Sequence, residues 1–131
     1  MSAVFGIDAQ DVMVSQDHRT VYMNRVAADG TDMLHALHHL GIEDIVFLKH
    51  YTPQDGLDVT AIGIVQPQHP LPWGGMACFP VRWVWEGNRH IENPEEANGL
   101  RGRALYEEYD IEVQRELLDL MPEEFRLAPE W

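Results

Sequence analysis

Two apolar runs joined by a polar turn constrain this chain more than any other feature. Asp44–Val65 reads DIVFLKHYTPQDGLDVTAIGIV. The runs IVFLKHY and VTAIGIV have strand length and are rich in β-branched and aromatic residues. Between them TPQDGLD supplies Pro and Asp-Gly, both turn formers. A third run, VRWVW at Val81–Trp85, follows after a loop. Alternation in that run puts Val81, Trp83 and Trp85 on one face, with Arg82 and Val84 on the other. These three runs predict the central strands of one small sheet or barrel. The expected fold class is α+β: a single small domain, residues 1–131, with a mostly antiparallel, curved sheet or barrel and two to three helices.

The flanking segments fill in around those strands. Val4–Ile7 is a short apolar start with strand character. Asp11–Val14 and Val21–Val26 flank a polar stretch and predict a hairpin turning near Asp17–Thr20. Asp29-Gly30 marks a turn, and Thr31 or Asp32 then caps a short helix, DMLHALHHL, stopped by Gly41. Met33, Leu34, Leu37 and Leu40 share one face of it, so the helix is expected to pack on the sheet. Gln66–Met76 carries three prolines and two glycines and reads as a loop. Asn93-Pro94-Glu95-Glu96 looks like a helix start, broken soon after by Gly99 and Gly102. Asp110 caps a last helix, IEVQRELLDLM, ended by Pro122, and residues 110–131 form an acidic C-terminal helix and tail.

Charge narrows the function classes. Nine basic residues stand against 22 acidic ones, for a net charge of −13. Residues 86–131 hold five of the basic residues and 13 of the acidic ones, so the excess is densest there. Such a field repels phosphate backbones and argues against duplex nucleic acid as a partner. It suits a basic protein surface. One cysteine, Cys78, excludes an internal disulfide and fits a reducing, cytoplasmic setting. No signal-peptide pattern and no run near 20 apolar residues appears, so no membrane association is expected.

No catalytic or nucleotide-hydrolysing motif stands out. There is no P-loop and no Gly-x-Gly-x-x-Gly, and no cofactor is expected. Cys78 has no nucleophile signature around it and reads as an inert thiol. His35 and His39 are spaced i, i+4 with Asp32 one turn earlier, a weak metal pattern without a Cys cluster or His-Glu-x-x-His. The plainer reading of His35, His38 and His39 is a solvent-facing helix side. The better candidates are aromatic and cationic: Lys49, His50 and Tyr51 at one strand end, Trp73 in the loop, and Arg82 with Trp83 on a later strand. Aromatic faces with one or two cations stack a planar base and hold its polar edge. Trp83 and Trp85 also have a plain reading as core residues with locally satisfied indole N–H groups.

The order of helix, GIEDIVFLKHY, VTAIGIV and VRWVW resembles the small barrels of the PUA and EVE superfamily over roughly residues 31–85. The matching pieces are Gly41–Asp44, Ala61–Val65 and Val81–Trp85. The resemblance implies a base-binding aromatic pocket near Lys49–Tyr51, Trp73 and Trp83, while the lack of a basic face departs from a duplex reader. The expected function is a non-enzymatic module for a nucleobase- or nucleotide-like small molecule. The alternative is an acidic interaction protein, such as a phage-type anti-defence inhibitor that blocks a basic surface or sequesters a nucleotide signal. Homo-oligomerisation through the last helix or exposed aromatics is a further expectation.

Overall fold

The computed structural model describes residues 3–67, 71–73, 76–92 and 100–122. Among these residues the chain runs β1 (Val4–Asp8), β2 (Val12–Val14), β3 (Thr20–Asn24), α1 (Met33–Leu37), β4 (Ile45–Thr52), β5 (Gly56–Val65), β6 (Leu71–Trp73), β7 (Met76–Ile91), β8 (Leu105–Glu107) and α2 (Ile111–Leu120). The fold class is α+β. The sheet is open and mixed, in the order β2-β3-β7-β5-β4-β1-β8, with β6 paired to β7 off that path. Only β1 against β4 is parallel among the described pairings.

The predicted central strands form the antiparallel pair β4–β5, closed by the turn before Gly56, and β5 pairs onward with β7. Gly56 has φ +91, a left-handed conformation that glycine adopts without steric cost. The run IVFL is continuous because both faces of β4 are buried. Val46 and Leu48 enter one apolar cluster with Phe5, Ile7, Val21, Met23 and Phe79. Ile45 and Phe47 enter the other, with Val4, Leu57, Val59, Ile62 and Tyr106. Met33 and Leu37 of α1 cover the first cluster, whereas Val113 and Leu117 of α2 cover the second. Side chains from β1, β3, β4 and β7 share the first cluster although β5 separates them along the sheet, so the sheet curls around it.

β7 makes that curl. Its first half, Met76–Pro80, pairs with β3, and its second half, Val81–Ile91, pairs with β5. Register shifts interrupt the β5 pairing between Val59 and Ala61 and between Ile62 and Gly63. The second shift skips Val84, because Gly63 faces Trp83 and Ile62 faces Trp85. An extra residue in one strand resets which face follows it. Trp83 therefore packs on the first cluster and Trp85 on the second, which corrects the expectation that both share one face.

Three further differences have physical causes. Leu71–Trp73 is a strand inside the stretch expected to be loop. Among the described residues it pairs only with β7, so Pro72 occupies an edge there, where its missing N–H is tolerated. α1 ends at Leu37, short of Gly41, after Asp32 caps it by accepting from the His35 backbone N–H at 3.2 Å. β8 carries no long apolar run; it is held by pairing with β1 and by the buried polar contacts described below. The expected helix start at Asn93–Glu96 and the tail after Pro122 lie outside the described residues.

Candidate functional site

Of the expected site residues, Arg82 and Trp83 meet at one hollow. It has a volume of about 540 Å³ and is lined by His18, Arg19, Gln66, Pro80, Val81, Arg82, Trp83 and Glu86. Its walls come from three places: the β2–β3 turn, the end of β5 and the middle of β7. Backbone hydrogen bonds lock these together. Val81 N–H donates to Arg19 C=O at 2.8 Å, and Gln66 N–H donates to Pro80 C=O at 3.2 Å.

The turn that presents His18 and Arg19 is built by two short side chains. Ser15 Oγ accepts from the N–H groups of Arg19 and Thr20 at 3.2 and 3.1 Å. Asp17 accepts from Arg19 N–H at 3.1 Å and from the Ser15 hydroxyl. The Ser15 hydrogen bond, then that from Arg19, hold the Asp17 carboxyl below its ordinary pKa. His18 sits at φ +59, a left-handed conformation uncommon for a residue with a side chain. The cost is accepted because the Ser15–Asp17 contacts fix the turn on both sides.

Trp83 reaches the hollow because Gly63 lies across from it. A Cβ at Gly63 would stand 2.8 Å from Trp83 Cε3, so only glycine leaves room for the ring there. The indole Nε1 is buried, and among the described residues it has no hydrogen-bond partner. Gln66 turns its side-chain amide to the Ile64 C=O at 3.0 Å. Arg19, Arg82 and Glu86 are exposed at the rim. Among the described lining residues are two guanidiniums, one imidazole and one carboxylate, on a chain whose net charge is −13.

Lys49, His50 and Tyr51 are elsewhere. Lys49 pairs with Val59 and Trp83 with Gly63, four residues along β5, which is about 13 Å at the usual strand rise. Lys49 is 1% exposed, and its ammonium donates to the backbone C=O of Arg101 at 2.7 Å and of Arg103 at 2.8 Å. Asp8 lies 3.9 Å away, and the Tyr106 ring centroid lies 5.5 Å from Nζ. This lysine pins the segment before β8 to the core. His50 is exposed, and Tyr51 packs against the second cluster. The structure does not bring Lys49 and Trp83 together, and the Trp73 side chain lies outside the described residues.

Next to Lys49 is a buried ion pair that the sequence pattern did not flag. Arg101 Nε and Nη2 donate to the two oxygens of Glu108 at 2.8 and 2.9 Å, with both side chains at most 5% exposed. Glu108 also accepts from the Tyr106 hydroxyl at 2.9 Å and the Asp110 N–H at 3.2 Å. His35, His38 and His39 are exposed, as the helix face implied. The rings of His35 and His39 meet edge to face at 5.9 Å. Among the described residues no group of three or more His, Cys, Asp or Glu is placed to hold a metal ion. Cys78 is a half-buried thiol in β7. No described helix is long and apolar enough to cross a membrane.

The additional lining residues His18, Arg19, Gln66 and Glu86 had no sequence signal of their own. The nearest hint was the polar hairpin turn, and what joins it to β7 is a contact between distant segments. No protein-family model, no curated protein and no solved structure matches the chain.

Proposed function

We propose that the chain is a non-enzymatic binding module for a nucleobase- or nucleotide-like small molecule, held in the hollow between the β2–β3 turn and β7. One observation carries this reading: Arg19, Arg82, His18 and Trp83 gather at one concave site in a strongly acidic molecule. A volume of about 540 Å³ falls in the usual range for small-ligand sites. The indole offers an apolar surface for a planar ring, and the guanidiniums offer forked donors for an anionic group. The resemblance to the PUA and EVE superfamily implies the same class of ligand, although the Lys49–Tyr51 part of the pocket it implies lies away from this hollow. The surrounding acids favour a small free ligand over a polynucleotide, because the repulsion grows with every added phosphate.

The test is thermal-shift and calorimetric titration of the protein with the 5′-monophosphates of adenosine, guanosine, cytidine and uridine. At least one should stabilise the protein, and a ligand at about 100 times its Kd adds roughly 2.7 kcal/mol. Arg82→Glu should abolish that stabilisation without unfolding the protein. Wild-type affinity in Arg82→Glu overturns the reading.

A second reading has its own observation. Between β7 and α2 a hollow of about 560 Å³ is lined by Glu92, Glu112, Glu116 and Asp119, beside His90 and Arg115. Arg89 already pairs with Glu116 at 2.8 Å. We infer from this acidic face the alternative role, an inhibitor docking on a basic partner surface.

A further inference from the structure

We infer that the Trp83 indole N–H is a ligand-contacting donor that sets the specificity of the hollow, so that the ligand must present a hydrogen-bond acceptor to it. The inference rests on the proposed reading of the hollow as a ligand site.

Buried polar groups are nearly always paired, and leaving one unpaired costs about 1–3 kcal/mol. Among the described residues Trp83 Nε1 is the buried side-chain polar atom that lacks a partner. It belongs to a residue that lines the hollow. Packing alone does not account for it. A phenylalanine would fill much of the same space opposite Gly63 and would leave no donor unpaired. The nearby polar side chains do not serve it either: Gln66 turns its amide to Ile64 C=O, and no hydrogen bond joins Glu86 to the indole. An unpaired donor at a concave site is explained if its partner arrives with the ligand, and departures from local consistency gather at functional sites.

The nitrogen itself is covered, so the contact requires the side chain over it to move aside as the ligand enters. The chemistry selected is then specific. Stacking on the indole tolerates any planar ring, and the guanidiniums accept any small anion. The N–H adds a demand for a carbonyl oxygen or ring nitrogen at the inner end of the ligand. Recognition by this donor discriminates because only a molecule that carries the acceptor gains a hydrogen bond the free protein lacks.

The experiment compares wild type with Trp83→Phe, using the four 5′-monophosphates above and their nucleosides as probes. Trp83→Phe should remain folded, while the Kd of the best-bound probe weakens about tenfold. Equal Kd in the two proteins overturns this inference and leaves the binding module standing. No binding of any probe by wild type overturns both readings. Indole N–H spectra of wild type provide a second measurement. One of the four Trp signals, assigned to Trp83 by single Trp→Phe variants, should move downfield on probe addition. A stationary Trp83 signal at probe saturation contradicts the contact.

Discussion

Lys49 and Arg101 are both buried cations, but they depend on different partners. Lys49 donates to two backbone carbonyls, whereas Arg101 has a full counter-charge in Glu108. Lys49→Met keeps most of the stem's volume and leaves the two carbonyls without that donor. A loss of about 2–4 kcal/mol follows from two unsatisfied acceptors. Glu108→Gln keeps the shape but leaves a buried guanidinium without its neutralising charge, which costs about 3–5 kcal/mol. Asp110, 3.9 Å from Arg101 Nη2, offsets part of that, so the loss should sit at the lower end. Urea unfolding of both variants at neutral pH checks these values. A change under 1 kcal/mol for Glu108→Gln refutes the buried-charge account. Lys49 stood out in the sequence as the only lysine. Its role was not legible there, because its acceptors lie 52 and 54 residues away on a segment with no apolar pattern.

Among the elements, β7 connects the fold to the candidate site. Its two halves pair with different strands, and its skipped residue sends neighbouring tryptophans to opposite faces. The strands β4 and β5, the β2–β3 hairpin and the start of α2 were legible because each rests on a local signal. Those signals are apolar runs, turn formers and the Asp110 cap, which accepts from Glu112 and Val113 N–H at 2.8 and 3.2 Å. Strand bulges have no comparable local signal, so the faces of Trp83 and Trp85 could not be assigned from alternation. Arg82 and Trp83 were found as candidates because their strand reads locally, while Arg19 and His18 join them through a contact between distant segments. The fit of β5 against β7 makes a direct prediction at Gly63. Gly63→Ala drives a methyl into Val81 and the Trp83 ring, an overpacking worth about 1–3 kcal/mol. It should also displace Trp83 and weaken the binding of any ligand that stacks there. Chemical unfolding and probe titration of this variant together check the prediction; unchanged stability with unchanged binding contradicts the packing described.

Across the whole molecule, the excess of acids is a load on the folded state, and Asp11 is where it can be read most directly. Burial pushes its carboxyl above the ordinary value, and the charges of Asp8 and Asp29 add to that effect. A hydrogen bond from the Ala28 backbone and the charge of Lys49 oppose it without cancelling it. The sign follows from proton linkage. A raised native pKa means that the folded state holds the proton more tightly than the unfolded chain, so stability falls as pH rises through the interval above 3.8. Below that value the group costs nothing, and at neutral pH its full penalty is present. Asp29 works in the opposite direction. The Thr31 hydroxyl, followed by backbone donors including Ala104 N–H, holds its carboxyl low, so its contribution is present at neutral pH and lost in acid. Asp11→Asn keeps an acceptor for Ala28 and removes the charge. It should raise the urea midpoint at pH 7 and leave it unchanged near pH 3, a difference in which the Asp29 contribution is common to both proteins. Part of the gain is repulsion between partly exposed carboxylates, so it should shrink between about 0.02 M and about 0.3 M salt. The part due to burial should persist at the higher salt. A lower midpoint for Asp11→Asn at pH 7 means that the Lys49 attraction dominates at this site, and it contradicts the assigned direction.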